Sequence, residues 1–247
     1  MEIVLFVIGA GIGALSGFFG IGGGTVLVPV LMLMGFGMHD AVGVSIMQMV
    51  FSSIYGSILN LRRGSLVLGE GLFVGVGGFV GGFLSGYLGE SVPESFLQVL
   101  FIGFVLFALY RMSVTQVHEV HDENATLPAW ILFVIGVGIG TVAISIGVGG
   151  AIILIPLLSG VLKYPVKKAV SAGLFFVVFS SVAGLIGRIS GGDLDMVSGA
   201  IVGTGSLAGV WLGIWLKEHV SNKKHKNFIV VMYLAILLIM VYKTYFK

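Results

Sequence analysis

Residues 20–24 read Gly-Ile-Gly-Gly-Gly and are followed by Pro29, and residues 147–151 read Gly-Val-Gly-Gly-Ala and are followed by Pro156. Both stretches lie inside apolar runs of membrane-spanning length. Because hydrocarbon offers no water to an open backbone, a glycine break at that depth is tolerated only where it is buried in protein or lines a polar cavity. The two stretches therefore predict broken helices of the kind that form substrate sites in transporters.

The composition fixes the class of protein. Of 247 residues, 57% are hydrophobic and 10% are charged, whereas about a quarter of the residues of soluble domains are charged. A single membrane span needs about 20 apolar residues. Apolar runs of about that length or longer occupy residues 3–34, 41–59, 69–89, 95–110, 129–158, 168–187, 196–216 and 228–242. The chain is therefore predicted to be an all-α, multi-pass protein of the lipid bilayer.

The two halves of the chain match well beyond the glycine stretches. When the sequence is compared with itself at a shift of 127 positions, the same residue type recurs for Gly9, Gly11, Gly13, Gly20, Gly22, Gly23 and Pro29. At a shift of 128, the Phe-Ser-Ser block at 51–53 falls on the Phe-Ser-Ser block at 179–181. We therefore predict a first transmembrane repeat at 1–112, a polar connector at 113–127 and a second repeat at 128–247, within one membrane domain.

The positive charges indicate how the repeats are oriented. If every apolar run crossed the membrane once, the lysines and arginines would divide six against seven. If 3–34 and 129–158 are hairpins that return to the side they entered, ten lie on one side and only Arg188, Lys243 and Lys247 lie on the other. Because positive loops stay inside, the second count favours two inverted-topology repeats, each a glycine-broken helical hairpin plus three transmembrane helices, with both chain ends outside.

The breaks also predict a chemistry. A helix is expected to begin at about Thr25 and another at about Ala151, each with unpaired N–H groups and the positive end of its dipole. Two such termini meeting near the midplane form a site for an anion. The glycines spaced by four in 71–86 and 199–213 instead fit close helix packing. The predicted binding residues at the breaks are Gly22, Gly23, Gly24, Thr25, Gly149, Gly150 and Ala151.

Uncharged side chains are predicted to complete the pocket. In the run 41–59, Gln48 and Ser52 lie one turn apart on one helix face, and the second repeat offers Ser180 and Ser181. An amide inside an apolar run requires a partner, whereas serines in membrane helices often bond to their own backbone. Arg188 occupies the position equivalent to Asn60, where it would either attract anions into an outer vestibule or snorkel to the interface.

Acidic residues and histidines are confined to the loops and to the ends of the predicted spans. All eleven acidic residues and all five histidines lie in or beside loops, so no buried proton relay is expected. If transport is coupled to protons, either the substrate carries the proton as a weak acid or a boundary carboxylate, Asp193 or Asp195, does so. No Ser/His pair, carboxylate pair or HExxH-like set lies at membrane depth, so an enzyme is not expected.

Other partners and cofactors are constrained by composition. The chain has no cysteine, which excludes disulfides, thiolate metal sites and a persulfide relay. No cofactor or metal is expected. The net charge is +2 and the basic residues lie in short loops, so nucleic acid is not an expected partner. The glycine stripes suit contacts within one chain or between chains, so an oligomer is compatible with the sequence.

Residues 20–31 and 147–158 resemble the paired motifs of the sulfite exporter TauE/SafE family of membrane proteins. The resemblance covers nearly the whole chain, including its duplicated layout. It implies transport of small sulfur-containing anions, such as sulfite or organosulfonates, across a prokaryotic plasma membrane. Ala151 stands where the first copy has Gly24, which makes the second terminus a weaker donor.

Two functions are compatible with these features. One is a secondary transporter of a small anion, bound at helix termini near the midplane and moved by alternating access. The other is a nontransporting membrane scaffold or assembly factor, whose partner would bind the connector at 113–127 or the basic loop at 223–226.

Overall fold

A computed structural model describes residues 2–19, 22–62, 71–88, 91–114, 127–158, 162, 166–191, 194–219 and 222–245. Over these residues the chain forms ten helices and no strand. The helices are α1 (Glu2–Phe19), α2 (Gly24–Leu33), α3 (Met38–Arg62), α4 (Gly71–Leu88), α5 (Glu94–Val114), α6 (Ala129–Ser145), α7 (Ala151–Pro156), α8 (Val166–Gly191), α9 (Met196–Glu218) and α10 (Asn222–Tyr245). Gly20 and the connector at 115–126 lie outside the described residues.

The eight predicted apolar runs give ten helices because the two glycine-bearing runs are each divided. The run 3–34 forms α1 and α2, and the run 129–158 forms α6 and α7. The predicted breaks are therefore confirmed. Within the described part of the chain, five helices are long and apolar enough to cross a membrane, namely α1, α3, most of α8, α9 and the apolar part of α10. The protein is a multi-pass membrane protein, and large apolar side chains such as Trp130, Trp211 and Leu238 are exposed on its outer surface.

Local backbone chemistry ends two of these helices. Gly147 lies in the left-handed region with φ 68°, where its N–H donates to the Ile144 carbonyl and the N–H of Val148 donates to the Ala143 carbonyl. Gly35, with φ 100°, ends α2 with the same pair of bonds. This is the Schellman arrangement, which satisfies the last carbonyls of a helix and favours glycine because a side chain is strained at positive φ.

Helices of one half pack against helices of the other half. Helix α1 lies against α9, and α6 lies against α4. Helix α3 contacts both α8 and α9, while α8 contacts α4, and α5 pairs with α10. Helices α2 and α7 pack on α3 and α8, respectively. Exchanging each helix for its counterpart in the other half, α1 for α6 and so on to α5 for α10, reproduces these pairs.

The close helix contacts depend on glycine. A Cβ added at Gly13 would strike the Ser206 carbonyl oxygen, and one added at Gly205 would strike the Phe6 carbonyl oxygen. The two repeats use the same device, because a Cβ at Gly75 would lie 2.9 Å from the Phe179 ring and one at Gly203 would lie 2.7 Å from the Phe51 ring. The predicted packing role of the spaced glycines is confirmed.

The buried apolar side chains form two clusters beside the glycine breaks. The larger cluster contains buried residues of every described helix except α4 and α8, and Leu27, Met49, Phe101 and Tyr233 are fully buried in it. The smaller cluster joins α4, α6, α7 and α8 around Phe176. These clusters hold the short helices α2 and α7 in the interior, since ten or fewer residues span only about half of a hydrocarbon core of roughly 30 Å.

Candidate functional site

The first glycine break places the start of α2 inside the protein. Gly22 has φ 70°, Gly23 is the N-cap residue, and the helix begins at Gly24, one residue before the predicted Thr25. The N–H groups of Val26 and Leu27 already donate to the Gly23 carbonyl. The helix therefore has no internal acceptor for the N–H groups at its first positions, and both Gly24 and Thr25 are buried.

The second break begins α7 at Ala151, as predicted, with Gly150 as the N-cap residue at φ 61°. The two breaks lie in direct contact. A Cβ added at Gly22 would lie 3.6 Å from the Gly149 Cα, and one added at Gly24 would strike the Gly147 carbonyl oxygen. The sequence-predicted glycines from both halves are thus brought together in the interior.

Polar side chains beside the first break lack partners. Gln48 is 0% exposed, and neither its Nε2 nor its Oε1 has a hydrogen-bond partner among the residues that the structure describes. The Oγ1 of Thr25 is equally buried and unpartnered. A Cβ added at Gly23 would lie 2.8 Å from Gln48 Oε1 and 3.0 Å from its Nε2, so this amide lies against the start of α2. Such groups cost free energy unless something binds them.

Ser45 lies on α3 one turn before Gln48, but its hydroxyl has a hydrogen-bond partner. Its Oγ donates to the Gly147 carbonyl oxygen at 2.8 Å, so it links α3 to the second break. Ser52, the other predicted residue of α3, donates to the Met49 carbonyl oxygen of its own helix at 3.3 Å. Ser45 therefore has a structural contact, whereas Ser52 keeps its hydroxyl at the edge of a cavity.

A cavity of about 160 Å³ extends from Gly22 along the C-terminal half of α3. Its polar lining comes from Ser16, Ser52, Ser53 and Asn60, and its apolar lining comes from α1, α7, α8 and α9. Ser16 was missed by sequence reasoning, because a single hydroxyl residue among the glycines of α1 gives no periodic signal. The cavity lies between the first glycine break and the C-terminal end of α3.

The sequence model of the sulfite exporter TauE/SafE family matches residues 5–240 of the chain. The chain belongs to the sulfite exporter TauE/SafE family. This confirms the resemblance inferred from the two glycine stretches, and the family is one of membrane transporters.

Three curated relatives of this TauE/SafE protein come from prokaryotes. The chain is 27% identical to the probable membrane transporter protein YdhB of Bacillus subtilis, over 85% of the chain and 86% of the relative. It is 27% identical to the probable membrane transporter protein MJ0441 of Methanocaldococcus jannaschii, over 76% and 72%. It is 22% identical to the probable membrane transporter protein YunE of Bacillus subtilis, over 97% and 95%. No solved structure matches the chain.

The two breaks of this TauE/SafE protein are chemically unequal. At the repeat shift, the polar residues Thr25, Ser45 and Gln48 correspond to Ile152, Gly173 and Phe176. The structure places Gln48 and Phe176 in matching positions beside their glycines. A Cβ added at Gly23 would meet the Gln48 amide, and one added at Gly150 would strike the Phe176 ring. The first break is therefore polar and the second is apolar.

The second break also offers fewer free donors. The Ala151 N–H donates to the Gly149 carbonyl oxygen at 2.6 Å, and α7 has only six helical residues. Ser180 and Ser181 donate to the carbonyls of Val177 and Val178 in their own helix. The Ser180 backbone lies against α4, where a Cβ at Gly82 would strike its carbonyl oxygen. The hydroxyls of both serines are therefore bonded within α8, and their contact with substrate stays a prediction.

Two ionisable groups singled out by the sequence have structural roles. Arg188 is 1% exposed and its Nη1 donates to the His39 carbonyl oxygen at 3.2 Å, so its side chain does not snorkel to the surface. Hydrogen bonds from the Ser198 side chain and N–H hold the pKa of Asp195 below its ordinary value. Asp195 therefore stays ionised near neutral pH, which suits a cap of α9 more than a proton carrier. Asp193 lies outside the described residues.

Proposed function

We propose that this protein is a secondary transporter that binds one small anion at the start of α2 and moves it by alternating access. The proposed anion is a sulfur-containing oxyanion or organosulfonate of the sulfite type, in keeping with the family to which the chain belongs. The observation that supports this most is the buried, unpartnered amide of Gln48 beside the helix terminus. It is the kind of group that a bound ligand satisfies.

The donors around the first break favour an anion. The N–H groups of Gly24 and Thr25, the Thr25 hydroxyl and the Gln48 Nε2 are all hydrogen-bond donors, and the α2 dipole adds a partial positive charge at the same place. No fixed cation of the described residues adjoins this terminus, so the anion is held by neutral dipoles. Neutral donors bind an anion without the desolvation cost of burying a full charge, which keeps release possible.

The position of the ionisable groups favours a protonated ligand if transport is coupled to protons. All acidic residues and histidines lie in or beside the predicted loops. A weak acid such as hydrogen sulfite would carry its own proton while its oxygens accept from the N–H groups at the start of α2. Any coupling to protons is therefore proposed to run through the substrate, which requires no carboxylate in the membrane interior.

We infer an inverted relation between the two halves, each with a returning hairpin. The exchange of packing partners between halves supports a two-fold relation. The count of ten basic residues against three supports opposite insertion of the two halves. In such a protein the two helix breaks meet at the centre, and access alternates as the repeats exchange conformations.

Purified protein is expected to unfold at a higher temperature in sulfite than in chloride of equal ionic strength. A ligand at 100 times its Kd adds about 2.7 kcal/mol to the folded state if the unfolded state does not bind it. A thermal-shift series over sulfite, sulfate, methanesulfonate and acetate, followed by uptake of the stabilising anion into proteoliposomes, tests the proposal. A scaffold would show neither a shift nor flux for any of these anions, and that result would contradict transport.

A further inference from the structure

Equivalent positions in the two halves differ sharply in packing. At the repeat shift, the cavity residues Ser53 and Gly56 correspond to Ser181 and Gly184. Among the described residues, a Cβ added at Gly56 would meet only the Val210 side chain, at 3.8 Å. One added at Gly184 would lie 2.6 Å from Ile144 and 3.6 Å from both Ile46 and the Gly82 carbonyl oxygen. The surface that is open along α3 is closed along α8.

The walls of the cavity show the same difference. Val170 lines the cavity and is 39% exposed, whereas its counterpart Val42 is 0% exposed. Leu174 also lines the cavity and is half-buried, whereas its counterpart Ile46 is fully buried. The two halves have the same plan but stand in different states, as expected when an inverted-repeat protein is open at one end and closed at the other.

The closed surface along α8 carries a charged side chain at the position where the open surface along α3 carries an amide. Asn60 lines the cavity, and its counterpart Arg188 is buried with its Nη1 on the His39 carbonyl oxygen. Burying a guanidinium is costly unless it is hydrogen-bonded, as the Arg188 guanidinium is in this closed arrangement. The two repeat-equivalent positions therefore differ by a full positive charge.

We propose that Ser181, Gly184 and Arg188 line a second vestibule, closed in this structure, and that Arg188 binds the anion when that vestibule opens. This inference rests on the proposed transport by alternating access. When the vestibule opens, the anion replaces the His39 carbonyl as an acceptor for the guanidinium. An anion meets a fixed positive charge on the Arg188 side and only an amide on the Asn60 side. The two faces therefore hold the substrate with different strength.

Cysteine labelling tests the second vestibule without any need for a known substrate. Because the chain has no cysteine, Ser53→Cys and Ser181→Cys each introduce a single thiol at repeat-equivalent positions. A membrane-impermeant maleimide is expected to label Ser53→Cys from one face and Ser181→Cys from the other. Ser190→Cys, at an exposed position two residues beyond Arg188, is the positive control for labelling from the Arg188 face.

The closed state is expected to limit labelling at Ser181→Cys. Adding Ile144→Ala, which removes the side chain packed on Gly184, is expected to raise that labelling rate several-fold. The vestibule is refuted if Ser181→Cys remains unlabelled with Ile144→Ala present, or if it is labelled from the same face as Ser53→Cys. Labelling at the expected face with no anion flux would instead contradict the proposed function and leave the second vestibule standing.

Transport measured from each face tests the role of the charge. Arg188→Gln is expected to raise the KM for sulfite about ten-fold or more at the Arg188 face, since a charge-assisted hydrogen bond is lost, with a much smaller change at the Asn60 face. Arg188→Lys, which keeps the charge, is expected to restore most of the affinity. Equal KM changes at both faces in Arg188→Gln, or no rescue by lysine, would contradict this assignment.

Discussion

Replacing Gln48 with leucine is expected to abolish saturable anion uptake while leaving the unfolding temperature unchanged or higher. The amide is buried without a partner, and such a group costs about 1–3 kcal/mol, which a leucine of similar volume does not incur. The same change removes a donor from the start of α2. A gain in stability together with a loss of activity is typical of a residue retained for binding. Uptake of labelled sulfite and thermal unfolding of the same preparations measure both effects.

Matched variants separate binding from packing. Phe176→Leu alters the repeat-equivalent position, and it is expected to lower stability by about 1 kcal/mol or more with uptake largely kept. Normal uptake by Gln48→Leu would contradict binding of the anion beside Gln48 at the start of α2.

Replacing Gly209 with alanine is expected to prevent a stable fold. The added Cβ would strike the Ala10 carbonyl oxygen and lie 2.5 Å from the Ala14 nitrogen, and neither backbone atom can move as a flexible side chain does. Helix α1 would have to leave α9, so the loss is expected to exceed the 1–3 kcal/mol typical of overpacking. The monodisperse yield after extraction and the unfolding temperature measure it.

The controls for this substitution lie on the partner helix and its counterpart. A Cβ added at Gly11 or at its repeat equivalent Gly138 meets nothing within 4 Å. Gly11→Ala and Gly138→Ala are therefore expected to fold normally, with a small gain because alanine favours helix. If Gly209→Ala proved as stable as Gly11→Ala, the close α1–α9 contact described here would be incorrect.

The sequence predicts the helix breaks because their causes are local. Positive φ at Gly22, Gly147 and Gly150 and the bonds that end α6 depend on residues only a few positions apart. The packing role of spaced glycines is predictable for the same reason, since spacing fixes which residues share a helix face.

Contacts between distant segments required the structure. Ser180 and Ser181 have the expected helical spacing, yet the Ser180 backbone lies against α4, because helix rotation is set by partners that periodicity does not identify. Burial of Arg188 beside His39 joins residues 149 positions apart. The sequence shows that Gln48 aligns with Phe176. Only the structure shows that both side chains lie against the glycine breaks, which makes the first break polar and the second apolar.

Locating the bound anion in a crystal tests whether the substrate site lies at the start of α2. Selenite is the heavier homologue of sulfite, and its selenium can be located by anomalous scattering in crystals of protein shown to take up selenite. One selenium peak is expected within hydrogen-bond reach of the Gly24 and Thr25 N–H groups and the Gln48 amide, with none at Gly150. A peak of equal height at Gly150, or selenium bound only away from both breaks, would contradict it.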